Sequence, residues 1–199
     1  MSGSFNDIDV PPTLVSFAVD LAKLDNVIST DFKKAGNVIV KFSIKKDAYD
    51  LPIYEQLSDM YAKITSLMRK GKIGSAFAIG FGGVAEAVSK MAFGNRLGVK
   101  LDDCLTEEEL FLPGYGDIIV EMSRDASMVL DKEGFVADEY KLIGAISEAP
   151  EFIYRDTKIH MDEALSSWMR TLEKVYPTRS HKDKSKLESR LYDAGSLYL

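Results

Sequence analysis

A buried strand, a glycine-rich turn and a helix are predicted to follow one another without a break between residues 73 and 95. Residues 73–79 (IGSAFAI) are a continuous apolar run between glycines, which is typical of a central strand covered on both faces. The turn Gly80-Phe81-Gly82-Gly83 leads into residues 84–93, where apolar side chains recur at helical spacing until Gly94-Asn95 ends the helix. This order favours a fold in which helices pack on a sheet.

The rest of the chain predicts a mixture of strands and helices. Further strands are predicted at residues 13–19, 37–43, 99–101, 117–122, 127–130 and 140–146, with a hairpin over 151–161 that turns near Asp156. Helices are predicted over residues 53–68, which Gly71 closes, over 107–111, which a capping box of Thr106 and Glu109 opens, and over 165–175, which Pro177 ends. Hairpin-like spacing after residue 117 favours an α+β domain with a mixed, mainly antiparallel sheet packed with helices.

Composition limits the partners and the compartment. The chain has 199 residues, and 46% of them are hydrophobic, which is enough for one core without disulfides or a structural metal. Because 31 acidic residues outnumber 25 basic ones, the net charge of −6 offers no basic field to nucleic acid or to anionic lipid. A single cysteine, the lack of a signal-peptide core and the lack of a long apolar stretch predict a cytoplasmic protein without a membrane segment.

The glycine turn has a functional and a structural interpretation. In the first, Gly80, Gly82 and Gly83 let backbone N–H groups approach a phosphate at the start of the following helix, with Glu86 beside them. In the second, the glycines only permit a tight turn and close packing. The spacing matches neither the Walker pattern nor the dinucleotide fingerprint, and it leaves both interpretations open.

Acidic residues near the turn are candidates for Mg²⁺, although each of them also fits a solvated face. They are Glu86, Asp102, Asp103 and residues 107–109. No catalytic residue is predicted, because Cys104 has acidic neighbours that oppose a thiolate and is expected to pack, while His160 and His181 have no partner for general-base chemistry. No metal ligand is assigned.

Aromatic side chains near these segments are expected to be structural. Helical or strand spacing places Phe77, Phe93 and Trp168 in the core. Phe81 stands between glycines, and we expect its ring to plug the end of the sheet or to fill a pocket there.

Four stretches, in this order, resemble one enzyme family. They are PPTLVSFAV with the following VIS and FKKAG, then IGSAFAIGFGGVAEAVSKMAFGNRLGV, then ELFLPGYGDIIVE, and finally WMRTLEKVYPT. Together they span about residues 10–178 and resemble phosphoribosylformylglycinamidine synthase in its single-chain form. That enzyme contains two copies of a unit related to aminoimidazole ribonucleotide synthetase. The region that the stretches resemble is the carboxy-terminal half-domain of the second copy.

The resemblance implies a piece of an ATP-dependent ligase of purine biosynthesis that uses Mg²⁺ and takes its amido nitrogen from glutamine. Residues 1–12 would lead from a preceding synthetase half-domain, 13–160 would form the half-domain, 161–178 a packing helix, and 179–199 a basic linker toward a glutaminase domain. The substrate would be formylglycinamide ribonucleotide. Phosphate or nucleotide contacts are predicted at Gly80, Gly82, Gly83 and Glu86, and the fragment alone is expected to be inactive.

One departure from the family concerns the glycine turn. Several relatives have Ser-Asp-Gly-Gly there, with the aspartate near the metal of a nucleotide, whereas Phe81 stands at the position of that aspartate here. A non-catalytic scaffold or interface domain with a vestigial nucleotide site is therefore the alternative. A domain separated from its neighbours is also expected to expose apolar surface and to self-associate.

Overall fold

The computed structural model of the protein describes residues 3–177. Within these residues the strands are Gly3–Phe5 (β1), Ile8–Val10 (β2), Val38–Phe42 (β3), Ile73–Ala78 (β4), Gly98–Leu101 (β5), Ile118–Met122 (β6), Tyr140–Ser147 (β7), Glu151–Tyr154 (β8) and Thr157–His160 (β9). The α-helices are Tyr54–Arg69 (α1), Gly83–Asn95 (α2), Glu107–Phe111 (α3), Ala126–Lys132 (α4) and Met161–Arg170 (α5). The described helices include none with both the length and the apolar character that crossing a membrane requires.

Seven strands form one sheet, in the order β4-β6-β3-β7-β5-β8-β9. All neighbouring strands in it are antiparallel except β5 and β8, which are parallel. Strands β1 and β2 form a separate hairpin. The predicted α+β class with a mixed, mainly antiparallel sheet is therefore confirmed.

Helices cover both faces of the sheet, because its central strands alternate apolar side chains between two buried layers. Ile39 of β3 and Ile119 of β6 lie in the layer that α2 completes. Val40 and Val120, one residue further along each strand, lie in the opposite layer with α1 and α4. The period of two along these strands thus places one apolar set against each helical layer.

A fully buried carboxylate joins the sheet to the segment that enters β3. Glu121 of β6 accepts hydrogen bonds from the backbone N–H of Lys33 at 2.7 Å, the backbone N–H of Lys34 at 2.9 Å and the Asn37 side chain at 2.7 Å. The Ser75 hydroxyl of β4 donates a fourth bond at 3.0 Å. A buried charge is tolerated only with such partners, so Glu121 fixes the entry to β3 against β4 and β6.

The predicted strand over residues 13–19 is wrong. No strand lies between residues 11 and 23, and the large apolar side chains of this segment are exposed. Apolar and β-branched residues favour a strand when a neighbour accepts their backbone hydrogen bonds and covers one face. None of the strands within residues 3–177 does so.

The structure also corrects the predictions for residues 127–130, for the pairing of β6 with β7 and for the position of β4 in the sheet. Residues 127–130 lie in α4 instead of a strand, because Ala126 and Leu130, four residues apart, are both buried against the α1 layer. As a result β6 and β7 do not form a hairpin, and each pairs with β3 instead. Strand β4 lies at an edge of the sheet, not at its centre.

Helix α5 begins earlier and ends earlier than the sequence predicts. It ends at Arg170, and its buried residue is Met161. The ring of Trp168 is 57% exposed and stacks on Phe93 with 5.6 Å between centroids. The expected core position of Trp168 is therefore wrong, while Phe77 and Phe93 are partly buried against the α2 layer.

Candidate functional site: the glycine turn between β4 and α2

The glycine turn lies where β4 ends, α2 begins and the loop before β6 passes. The backbone N–H of Ile79 donates to the Asp117 carbonyl at 2.9 Å, and the N–H of Gly114 donates to the Gly80 carbonyl at 3.3 Å. The N–H of Gly83 closes the turn by donating to the same Gly80 carbonyl at 3.4 Å. The predicted residues Gly80, Gly82, Gly83 and Glu86 are thus brought together at one end of the sheet.

Gly83 is required by its backbone conformation and by a close approach of main chain. Its φ is +68°, a conformation that glycine adopts without strain. A Cβ atom there would lie 2.6 Å from the Leu110 carbonyl oxygen and 2.7 Å from that of Leu112. Packing of α2 against α3 therefore explains this glycine whether or not a ligand binds.

The Glu86 carboxylate lies over the N-terminus of α2. Its Oε2 accepts the N–H of Gly82 at 2.8 Å, and its Oε1 lies 2.5 Å from the Lys90 ammonium. These contacts lower the pKa of Glu86, the hydrogen bond from Lys90 most and that from Gly82 next. Because a Cβ on Gly82 would lie 2.6 Å from the Glu86 Cβ, the glycine also allows this side chain to fold back over the turn.

An internal anion thus occupies the place where the predicted phosphate would accept a hydrogen bond. A helix N-terminus favours negative charge, and here Glu86 supplies it. Phe81 offers no oxygen to a cation, and within residues 3–177 no three acidic, histidine or cysteine side chains come together as a ligand set. In this arrangement the residues present do not by themselves fit a magnesium nucleotide.

Phe81 does not plug the sheet or fill a pocket, since its side chain is 78% exposed. Three other large apolar side chains are exposed beside the turn: Phe111 at the end of α3, and Leu112 and Tyr115 on the loop that follows α3. We call these four residues the turn-end surface. An exposed apolar group of this kind is typical of a site that contacts another macromolecule.

An open groove beside the turn was not predicted from the sequence. It has a volume of about 580 Å³ and lies between α2 and α5, with Glu86, Lys90 and Phe93 on one side and Trp168 on the other. The spacing of Glu86, Lys90 and Phe93 places them on one face of α2. The second wall depends on where α5 packs, which local spacing does not determine.

The other candidate residues make local structural contacts. Asp102 accepts the N–H of Cys104 at 2.9 Å, while Glu109 completes the predicted capping box with Thr106 and pairs with Lys141 at 2.9 Å. Cys104 is exposed instead of packed in the core, and partial burial and then Asp102 raise the pKa of its thiol.

Of the two histidines, the structure describes only His160. The exposed His160 ring lies 3.9 Å from the Glu151 carboxylate, and His181 is outside the described residues.

No protein-family profile matches the chain. Among solved structures, phosphoribosylformylglycinamidine synthase II from Thermotoga maritima matches with a TM-score of 0.57 and 18% identity over 71% of this chain and 28% of that chain. T. maritima PurL complexed with AMPPCP gives a TM-score of 0.57 and 20% identity over 71% and 27% of the two chains. HypE of E. coli, a hydrogenase maturation protein, gives 0.50 and 12% over 69% and 52%.

At these identities the likeness shows the fold alone. The structure of this chain is similar to a part of the T. maritima enzyme, and it spans little more than a quarter of that enzyme's length.

Proposed function

We propose that the chain is the carboxy-terminal half-domain of a synthetase-like unit in an ATP-dependent ligase that forms an amidine from formylglycinamide ribonucleotide. The observation that carries the proposal is the shared fold with the T. maritima synthase over 71% of the chain. ATP would activate the substrate amide oxygen, and ammonia from glutamine would displace the phosphate. A preceding half-domain and a glutaminase domain would supply the rest of the machinery, so the fragment alone is inactive.

The domain limits follow the same proposal. Residues 13–160 would form the half-domain, with 1–12 leading from its neighbour, 161–178 packing on it and 179–199 leading toward the glutaminase. Residues 178–199 lie outside the described part of the chain.

The role proposed for the turn is to line a nucleotide cleft that the neighbouring half-domain completes. Gly80 leaves open space, since the nearest atom to a Cβ built there is Glu86 Oε2 at 3.9 Å. Glu86 holds the Gly82 N–H, and a phosphate at the turn would have to displace that carboxylate. If Glu86 is displaced, the Lys90 ammonium loses its partner and can pair with the incoming phosphate instead.

Titration calorimetry with ATP or ADP and Mg²⁺ tests nucleotide binding at the turn. We expect only weak binding to the wild-type chain, because a phosphate must displace Glu86 and the half-domain that completes the cleft is missing. Binding to Gly80→Asp should be weaker still because its carboxylate would repel a phosphate, and binding to Gly80→Ala should be near that of the wild type. Ala62→Asp is the matched control, because it adds the same charge to an exposed position of α1. Equal affinities of Gly80→Asp and Ala62→Asp, or no binding to the wild-type chain, would contradict a nucleotide site on this fragment.

A second candidate function is that of a non-catalytic interface domain, which the turn-end surface favours. Phe81 on the glycine turn and Phe111 at the end of α3 are 78% and 65% exposed, and aromatic side chains are enriched in protein interfaces. This function predicts that Phe81→Ser weakens association with the neighbouring domains and leaves nucleotide affinity unchanged. Weaker nucleotide binding by Phe81→Ser, with association intact, would exclude it.

A further inference from the structure

The groove between α2 and α5 presents an aromatic wall to solvent. Trp168 of α5 is 57% exposed and stacks on Phe93 of α2 with 5.6 Å between the ring centroids. Ile159 of β9 lines the same groove and is 40% exposed. Exposed large apolar side chains around an open volume of about 580 Å³ are typical of a surface that another protein segment covers.

The groove also carries an excess of negative charge. Its two carboxylates, Glu86 and Glu163, outnumber its one ammonium, that of Lys90. Lys90 pairs with Glu86, whereas Glu163 is exposed to solvent. A segment that combines apolar side chains with a net positive charge is therefore complementary to this groove.

The chain contains a basic sequence directly after the elements that form the groove. The structure describes the chain as far as Pro177, a few residues beyond the end of α5. In residues 178–190, which lie outside the described part, five basic residues outnumber two acidic ones. The basic residues are Arg179, Lys182, Lys184, Lys186 and Arg190, and the acidic ones are Asp183 and Glu188.

An apolar stripe overlaps and follows these basic residues in the sequence. Leu187 and Leu191 are four residues apart, Ala194 follows after three, and Tyr198 after four more. In a helix this spacing would place all four side chains on one face. An amphipathic helix that inserts its apolar face into a groove is a common mode of recognition.

We infer that residues 178–199 dock into the groove between α2 and α5, with the apolar stripe against Trp168 and the basic residues beside Glu163. The length of the chain allows this arrangement. Residues 178–186 span up to about 30 Å when extended, whereas the ten residues of α5 are only about 15 Å long. The chain can therefore reverse after Pro177 and run back along α5.

Fluorescence of Trp168 tests the docking in the full chain, because this is the only tryptophan in the sequence. Leu191→Asp removes one buried leucine and should weaken the docking about 10–100-fold. We therefore expect stronger acrylamide quenching of Trp168, and emission at longer wavelength, in Leu191→Asp than in the wild type. Ser189→Asp is the matched control, because it adds the same charge opposite the stripe and should retain wild-type quenching.

Carbodiimide cross-linking tests the charge pairing, because this reagent joins a carboxylate to an amine that is in direct contact with it. We expect mass spectrometry to find Glu163 joined to a lysine of residues 182–186, and we expect Glu163→Gln to lack this product. Both experiments are done without nucleotide, so their outcome is independent of ligand binding at the glycine turn.

Three results would overturn the docking. The first is equal quenching of Trp168 in the wild type, Leu191→Asp and Ser189→Asp, as expected if a neighbouring domain covers the groove instead. The second is quenching that falls as the protein concentration rises, which would indicate a second copy as the occupant. The third is cross-linking of the lysines in residues 182–186 only to carboxylates outside the groove.

Discussion

Replacing Gly83 with alanine tests how closely the glycine turn packs against the α3 segment. A non-glycine residue at a φ near +68° costs about 1–2 kcal/mol. The new Cβ would also lie 2.6 Å and 2.7 Å from two carbonyl oxygens of the α3 segment, and moving that backbone costs of the order of 1–3 kcal/mol. We expect Gly83→Ala to lower the free energy of unfolding by about 2–5 kcal/mol, measured by urea denaturation at neutral pH.

Gly71→Ala is the control for the cost of placing a non-glycine residue at a positive φ. Gly71 has nearly the same φ, +65°, but no atom lies within 4 Å of a Cβ built there. Gly71→Ala should therefore lower the free energy of unfolding only by the cost of the positive φ, about 1–2 kcal/mol. If the two variants are equally destabilised, the contact between Gly83 and the α3 segment does not constrain the turn, and the structural explanation of this glycine is wrong.

Two further predictions concern carboxylates. Glu121→Gln replaces one of two accepting oxygens with an NH2 group, which cannot accept the two hydrogen bonds made there. We therefore expect it to lower the free energy of unfolding by about 3–5 kcal/mol in urea titrations. The control, Glu148→Gln at an exposed position, should cost under about 0.5 kcal/mol. The Thr106 N–H, and then Lys141, lower the pKa of Glu109, so its stabilisation is complete above the unfolded pKa and is lost as the pH falls through the folded one. Glu109→Gln, which retains the capping acceptor, should reduce the loss of stability below about pH 4.5 measured by thermal unfolding; an unchanged acid profile would refute this linkage.

Elements that depend only on residues close together in the sequence were predictable. The capping box of Thr106 and Glu109 forms as expected, because both partners lie within one helical turn. Strand β4 was also found from its continuous apolar run, the turn from its glycines, and α2 from the helical spacing of its apolar residues. Residues 127–130 were misassigned because their three consecutive apolar residues, at positions 128–130, fit a strand or a buried helix, and burial of Leu130 decides between them.

The candidate site was predictable in its position but not in its contacts. The pairing of Glu86 with Gly82 and Lys90 follows a spacing of four, which could have been found in the sequence. The contact between Gly83 and the α3 segment could not, because it joins elements far apart in the chain. The exposure of Phe81 likewise depends on which loops meet at that end of the sheet.

The most direct test of the proposed function uses the native protein. An antibody against this chain would recover the complete polypeptide from its source, and the recovered protein would be assayed for amidine formation from formylglycinamide ribonucleotide. We expect product formation that requires both ATP and glutamine, from a polypeptide several times longer than these 199 residues. Recovery of the intact native protein without this activity, under conditions in which a known synthase is active, would contradict the assignment.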